Sequence, residues 1–181
     1  MTNEANNVSL FKGVGESKPS RDRDYFRPGR YLAQVEKFLV KQNDDGLIHY
    51  IFEMCIVDVI DESEALKDAD GPHGLGHGVS WVMGKHKKPS LPNLKAALMV
   101  MTGVPEESIT EQFCADLTSS SQPLAGIFIE FLNKPIVTKA GAPFTVIKAK
   151  RKWSHKEVFE KVGPEQLLNL GVELELGSGG E

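Results

Sequence analysis

The sequence predicts a mainly β fold: five strands curled into a small Greek-key barrel, a helix joining the third strand to the fourth, and a helix after the fifth. Three observations carry that expectation. Between Gly29 and Trp153 the apolar pattern runs strand, strand, strand, helix, strand, strand. Turn signals separate the runs, above all Asn43-Asp-Asp-Gly46, whose glycine accepts the positive φ of a tight hairpin. With 181 residues, 40% of them hydrophobic, the chain can bury a core without disulfide staples.

Residues 1–24 are polar and punctuated by Gly13, Gly15 and Pro19, and read as a loosely held N-terminal arm. Phe26-Arg-Pro-Gly-Arg30 is a turn that launches the first strand, expected over Tyr31–Lys41. There Tyr31, Ala33 and Val35 alternate with Leu32, Gln34 and Glu36, and the phase blurs at Lys37-Phe38-Leu39-Val40, which predicts a bulge. In the second strand, Leu47–Ile60, the set Ile48, Tyr50, Phe52, Met54 and Ile56 is placed inward, because the other set carries His49 and Glu53. Residues 61–78 form an acidic, then Gly/His-rich loop before the short third strand, Val79–Met83, centred on Trp81. A basic loop ends at Ser90, a candidate cap for the helix Leu91–Thr102; Leu91, Leu94, Leu98 and Met101 form its stripe and Gly103 ends it. A second short helix is expected near 106–117.

The fourth strand is expected over Gly126–Leu132, a long hairpin loop over Asn133–Pro143, and the fifth strand over Phe144–Trp153. Ser154-His-Lys-Glu157 has the form of a capping box, so a helix starts there, and Gly163-Pro164 interrupts it. The organisation read from the chain is therefore an arm (1–24), a barrel domain (25–153), a helical segment (154–170) and an acidic tail (171–181).

Net charge is −4, yet the charges are segregated. Lys85, Lys87, Lys88 and Lys95 give residues 71–105 a net +4, with no acid. Lys134, Lys139, Lys148, Lys150, Arg151 and Lys152 stand against Glu130 alone in residues 118–153, a net +5. Segregation of this kind makes a local field that the total conceals. Cys55 and Cys114 each lie in an apolar stretch without ligand-like spacing and are expected as two buried free thiols, which fits a reducing cytoplasm. The N-terminus lacks the basic and apolar regions of a secretory signal, and no apolar run approaches the length of a bilayer span, so no membrane partner is expected.

Two stretches combine cations with an indole. By period two, Lys148, Lys150 and Lys152 share one face of the fifth strand at a spacing of about 6–7 Å, with Trp153 at its end. Trp81-Val-Met-Gly-Lys-His-Lys-Lys88 repeats the combination through Trp81, Lys85, Lys87 and Lys88. Arg27 and Arg30 flank the barrel mouth, and Lys139 sits in the long hairpin. Aromatic rings among cations suit single-stranded nucleic acid, where bases stack and ammonium groups neutralise phosphates. The competing readings are a lysine face that guards an edge strand and, for Trp81, a core indole alternating with Val79 and Met83.

Catalytic and metal signatures are weak. His73 and His77 lie on a glycine loop with only Asp68 and Asp70 close in sequence, and no metal or cofactor is expected. Gly74-Leu-Gly-His-Gly78 lacks the Gly-Lys-Ser/Thr ending of a phosphate loop, and Thr118-Ser-Ser-Ser121 lacks a nucleophile elbow. No residue is assigned a catalytic role.

Through Pro28-Gly-Arg-Tyr-Leu-Ala-Gln-Val-Glu36, the Gly46-bounded hairpin into Tyr50-Ile-Phe-Glu53, the helix Leu91–Thr102 and the closing strand Phe144–Trp153, the chain resembles a known family. These are the OB-fold single-stranded DNA-binding proteins of bacteriophage replication and recombination modules. The resemblance spans residues 25–155. It implies an OB-type barrel and a non-enzymatic protein that coats single-stranded DNA in the host cell cytoplasm. It also implies recruitment of replication or recombination proteins through an acidic C-terminus. Glu173, Glu175 and Glu181 supply acids for such a tail, but the terminal aromatic of the usual pattern is missing. Two other classes compete: a virion or assembly protein whose barrel docks other proteins, and a metal-dependent hydrolase built on the His73/His77 loop. The sequence leaves self-association open.

Overall fold

Local chemistry sets where each element starts and stops. At Gly29, φ is 148° and an added side chain would lie 2.9 Å from the Tyr31 ring, so only glycine fits the turn that opens the first strand. Gly103 takes the left-handed conformation, φ 74°, and its N–H bonds the Met99 carbonyl to close the helix before it. The computed structural model describes residues 27–62, 71–137, 141 and 143–172. The expected arm, residue Lys139 and the acidic tail beyond Val172 lie outside the described residues.

The elements are β1 (Gly29–Gln42), β2 (Ile48–Asp61), β3 (Gly78–Gly84), α1 (Ser90–Thr102), a 3₁₀ turn (Glu106–Ser108), α2 (Glu111–Leu117), β4 (Phe128–Val137), β5 (Pro143–Trp153), α3 (His155–Val162) and α4 (Pro164–Asn169). The five strands form one antiparallel sheet in the order β3-β2-β1-β4-β5. The expected closed barrel is not formed: among the described residues no ladder joins β3 to β5, and the sheet is open. α1 packs against both of these edge strands and occupies the place where the barrel would close.

Two apolar clusters cover the two faces. On one face Phe38, Phe52 and Trp81 form a cross-strand row with α1 packed over the cluster through Leu94, Ala97, Leu98 and Met101. That stripe has the i, i+3, i+4, i+7 spacing of a helix face. It starts at Leu94, so Leu91, expected in it, is left 46% exposed. Ser90 lies inside the helix rather than at its cap, and Pro89 at the cap makes no side-chain bond. On the other face Leu32, Val57 and Phe128 are buried against Val158, Leu167 and Val172. These include positions the strand alternation places outward. The α3–α4 segment buries them by folding back over the sheet.

The bulge expected at Lys37–Val40 of β1 falls just before that stretch, between Val35 and Lys37, and two further register shifts lie at Arg30/Tyr31 and Leu32/Ala33. The shift at Glu36 resets the alternation for the second half of the strand. The far end of the His-rich loop is also tied down: Gly76 donates to the Ile56 carbonyl at 2.7 Å, and Ile56 donates to that of His77 at 3.0 Å. Among the described residues no helix is long and apolar enough to cross a membrane.

The capping box at Ser154 is present in both directions, and Arg151 pairs with Glu157 at its base. The Glu157 carboxyl is held below the ordinary carboxylate range, first by the Ser154 backbone N–H, then by the Ser154 hydroxyl, and further by Arg151. A depressed folded-state value contributes stability above the unfolded carboxyl pKa and loses it as pH falls through the folded one. Ser154→Ala removes the N-cap side chain that accepts from the Glu157 N–H, a loss of about 1 kcal/mol in urea denaturation at neutral pH. The gap to the parent protein narrows as the pH drops into the carboxylate range.

Candidate nucleic-acid interface

In the β4–β5 ladder Glu130 faces Arg151 while Phe131 faces Ala149, so Lys150 is an extra residue in β5. A bulge of this kind shifts the side-chain alternation by one. Lys148 pairs with Leu132, beside Glu130, whereas Lys152 pairs with Ile129, which lies with Phe131 in the larger core cluster. Directly opposed residues share a face, so Lys148 and Lys152 start from opposite faces. The expected single ridge through Lys148, Lys150 and Lys152 is not formed, although all three side chains are exposed.

The indoles depart from expectation too. Trp81 is 5% exposed, its ring 5.6 Å from that of Phe52, and it offers no open stacking face. β3 places it on the side of the sheet that α1 covers. Trp153 is half-buried against the α3–α4 cluster, donates Nε1–H to Glu130 Oε2 at 3.0 Å, and has the Arg151 guanidinium 4.7 Å from its ring centroid. One face of that ring is occupied, and the ring is anchored.

Glu130 also accepts from Arg30 Nε at 2.6 Å, so Arg30, expected on the binding path, pairs with a carboxylate that is 3% exposed. Arg27 gives its backbone N–H to His73 Nε2 at 2.9 Å. His73 is 2% exposed and stacked on His77 at 5.0 Å, so this glycine loop is packed against the fold at His73. Among the described residues no group of three or more His, Cys, Asp or Glu side chains is placed to hold a metal ion. Burial pushes the Cys55 and Cys114 thiols up, with Glu36 and Glu111 adding to it respectively. Both thiols are free, Cys55 buried and Cys114 half-buried rather than buried as expected.

The register brings together a surface that the sequence reading left without a role. On the face of β1, β2 and β3 opposite Phe38, Phe52 and Trp81, three cross-strand rows follow one another. They are Lys37–Glu53–Ser80, Leu39–Ile51–Val82 and Lys41–His49–Gly84. Strands lie about 4.8 Å apart, so each row is a short, continuous strip. Lys37 and Lys41 are exposed, and Val82 is 52% exposed.

The basic turn continues the last row. Lys85 donates its backbone N–H to the Ile48 carbonyl at 2.8 Å, and the His86 ring stands edge-on to His49 at 6.0 Å. Lys85, Lys87 and Lys88 are all exposed. This surface therefore carries apolar side chains in the middle, two imidazoles, five ammonium groups and one opposing carboxylate, Glu53. Such a surface can pack flat rings and neutralise phosphates together. The sequence did hold a signal for it: His49, Ile51 and Glu53 alternate with the core set of β2.

A cleft of about 230 Å³ separates α1 from β5 and brings Trp81 of β3, Asn93 of α1 and Lys148 of β5 to one place. The third and fifth strands thus border one cleft without pairing, and the indole between them is covered. No known family and no curated protein sequence matches the chain.

Proposed function

We propose that the protein binds single-stranded nucleic acid without sequence preference, across the outward face of β1, β2 and β3 and the adjoining Lys85–Lys88 turn. The observation that carries this reading is the partly exposed set of cross-strand rows, a Lys37–Glu53 pair at one end, apolar in the middle, and cationic at the other end, where the basic turn extends it. The strand order β3-β2-β1-β4-β5, with α1 between β3 and β4, supports an OB-type barrel opened at one ladder. Barrels of that type hold oligonucleotides across strands 2 and 3. The resemblance to phage proteins of replication and recombination favours DNA as the polymer and a coating, non-enzymatic role in the host cytoplasm. It also points to replication or recombination proteins as partners of the acidic tail at Glu173, Glu175 and Glu181.

Oligo-dT titrated at increasing salt tests the reading. With about four phosphates neutralised, log K falls against log salt with a slope near about −3. Absence of binding at low salt contradicts it. One observation favours a second reading, a face that docks protein: Val82 at the edge of the apolar row is 52% exposed. That reading predicts no oligo-dT affinity at any salt concentration.

A further inference from the structure

We infer that the cleft between α1 and β5 takes up one pyrimidine base of the bound strand. The inference rests on the single-stranded nucleic-acid reading above and adds, at one position only, a pyrimidine preference to binding that is otherwise without sequence preference. Helix and strand meet here through small side chains, Ala96 and Ala97 on α1 and Ala149 on β5, and leave about 230 Å³ between them. An apolar cavity of about 150 Å³ accepts a benzene ring, while pockets for drug-sized ligands begin near about 300 Å³. The space therefore suits a single six-membered ring with its exocyclic oxygens and is tight for a fused purine.

The lining mixes alanine methyl groups and Ile147 with polar atoms, and the nearly covered indole of Trp81 borders it. Half-buried Asn93, in the first turn of α1, brings a carbonyl acceptor and an amide donor. That pair complements the adjacent carbonyl and N–H of a pyrimidine Watson–Crick edge, one of the edges by which unpaired bases are read. Lys148 of β5 borders the same cleft, although its register opposite Leu132 starts its side chain from the other face of the strand. A purely apolar guest would leave the Asn93 amide unused.

The test titrates thymidine monophosphate and adenosine monophosphate into the full chain, following tryptophan emission, alongside affinities for oligo-dT and oligo-dA. Ala96→Leu fills the cleft from an exposed helix position and keeps high helix propensity. Asn93→Ala removes the polar contact and leaves the space. The parent protein is expected to show quenching by thymidine monophosphate only. Ala96→Leu should abolish that signal and lower oligo-dT affinity about tenfold, the worth of one base contact, with oligo-dA affinity unchanged. Asn93→Ala should erase the preference for oligo-dT. If Ala96→Leu binds thymidine monophosphate and oligo-dT as the parent does, the inference is overturned while the proposed function stands. If the parent binds neither oligonucleotide, both fall together.

Discussion

Phe52→Ala is expected to destabilise the protein by about 3–5 kcal/mol, the range for emptying a fully buried aromatic site. Phe52 is 0% exposed and sits at the middle of β2, stacked on Phe38 at 4.4 Å and 12° and tilted against Trp81 at 5.6 Å. Its removal deletes the central ring of a three-strand row and leaves a hole between two rings that cannot close without moving the strands. For a chain of this size the loss lowers Tm by roughly 10 °C. Urea denaturation reads the free energy, and tryptophan emission reads the cause. As water reaches the space beside Trp81, part of the emission shifts to the red in the still-folded variant. A cost below about 1 kcal/mol with unchanged emission would place Trp81 outside the core.

Glu130→Ala should cost about 2–3 kcal/mol, because it strips the charged acceptor from both Arg30 and the Trp153 indole. Arg30 is 45% exposed and regains water, so the loss falls short of that for a fully buried ion pair. The indole N–H is worse placed, since the α3–α4 cluster packs on the ring. Glu130→Gln keeps a neutral acceptor for one partner and should recover about half of the loss. Trp153 also lies under Arg151, which pairs with Glu157 of α3. Loosening Glu130 therefore loosens the attachment of α3, and the variant's C-terminal helices are expected to exchange amide hydrogens faster than the parent's. Equal exchange and equal stability would contradict a structural role for this carboxylate.

Features fixed within a few residues were legible in the sequence. The Ser154–Glu157 capping box, the Gly103 terminus of α1 and the Asn43–Gly46 turn each depend on neighbours in the chain, and each appears where the residues place it. The β1 bulge appears just before its expected stretch. The core set of β2 followed from period-two alternation through Phe52, Met54 and Ile56.

The site was less legible, because it depends on register and on what covers each face. Nothing in Lys148-Ala-Lys-Arg-Lys152 announces that β5 carries an extra residue opposite the Glu130–Phe131 step, so the alternation is misread from Lys150 onward. Leu32 and Val57 are buried only because α3 and α4 fold back over the sheet, a packing event that no local pattern encodes. The same segment turns Trp153 from an exposed indole into an anchored one. Conversely, Lys37 and Lys41 join His49 and the Lys85 turn only after the β1 bulge has set which way each side chain points.

The most direct measurement compares oligo-dT affinity for two charge-reversed double variants at one moderate salt concentration. These are Lys37→Glu with Lys41→Glu on β1, and Lys150→Glu with Lys152→Glu on β5. If the polymer lies over the cationic rows of β1–β3, the β1 variant loses about tenfold or more in affinity and its salt slope flattens by roughly 1.4, the share of two phosphate contacts. The β5 variant should change far less. Full affinity in the β1 variant, with binding lost only when the β5 lysines are reversed, would contradict that placement.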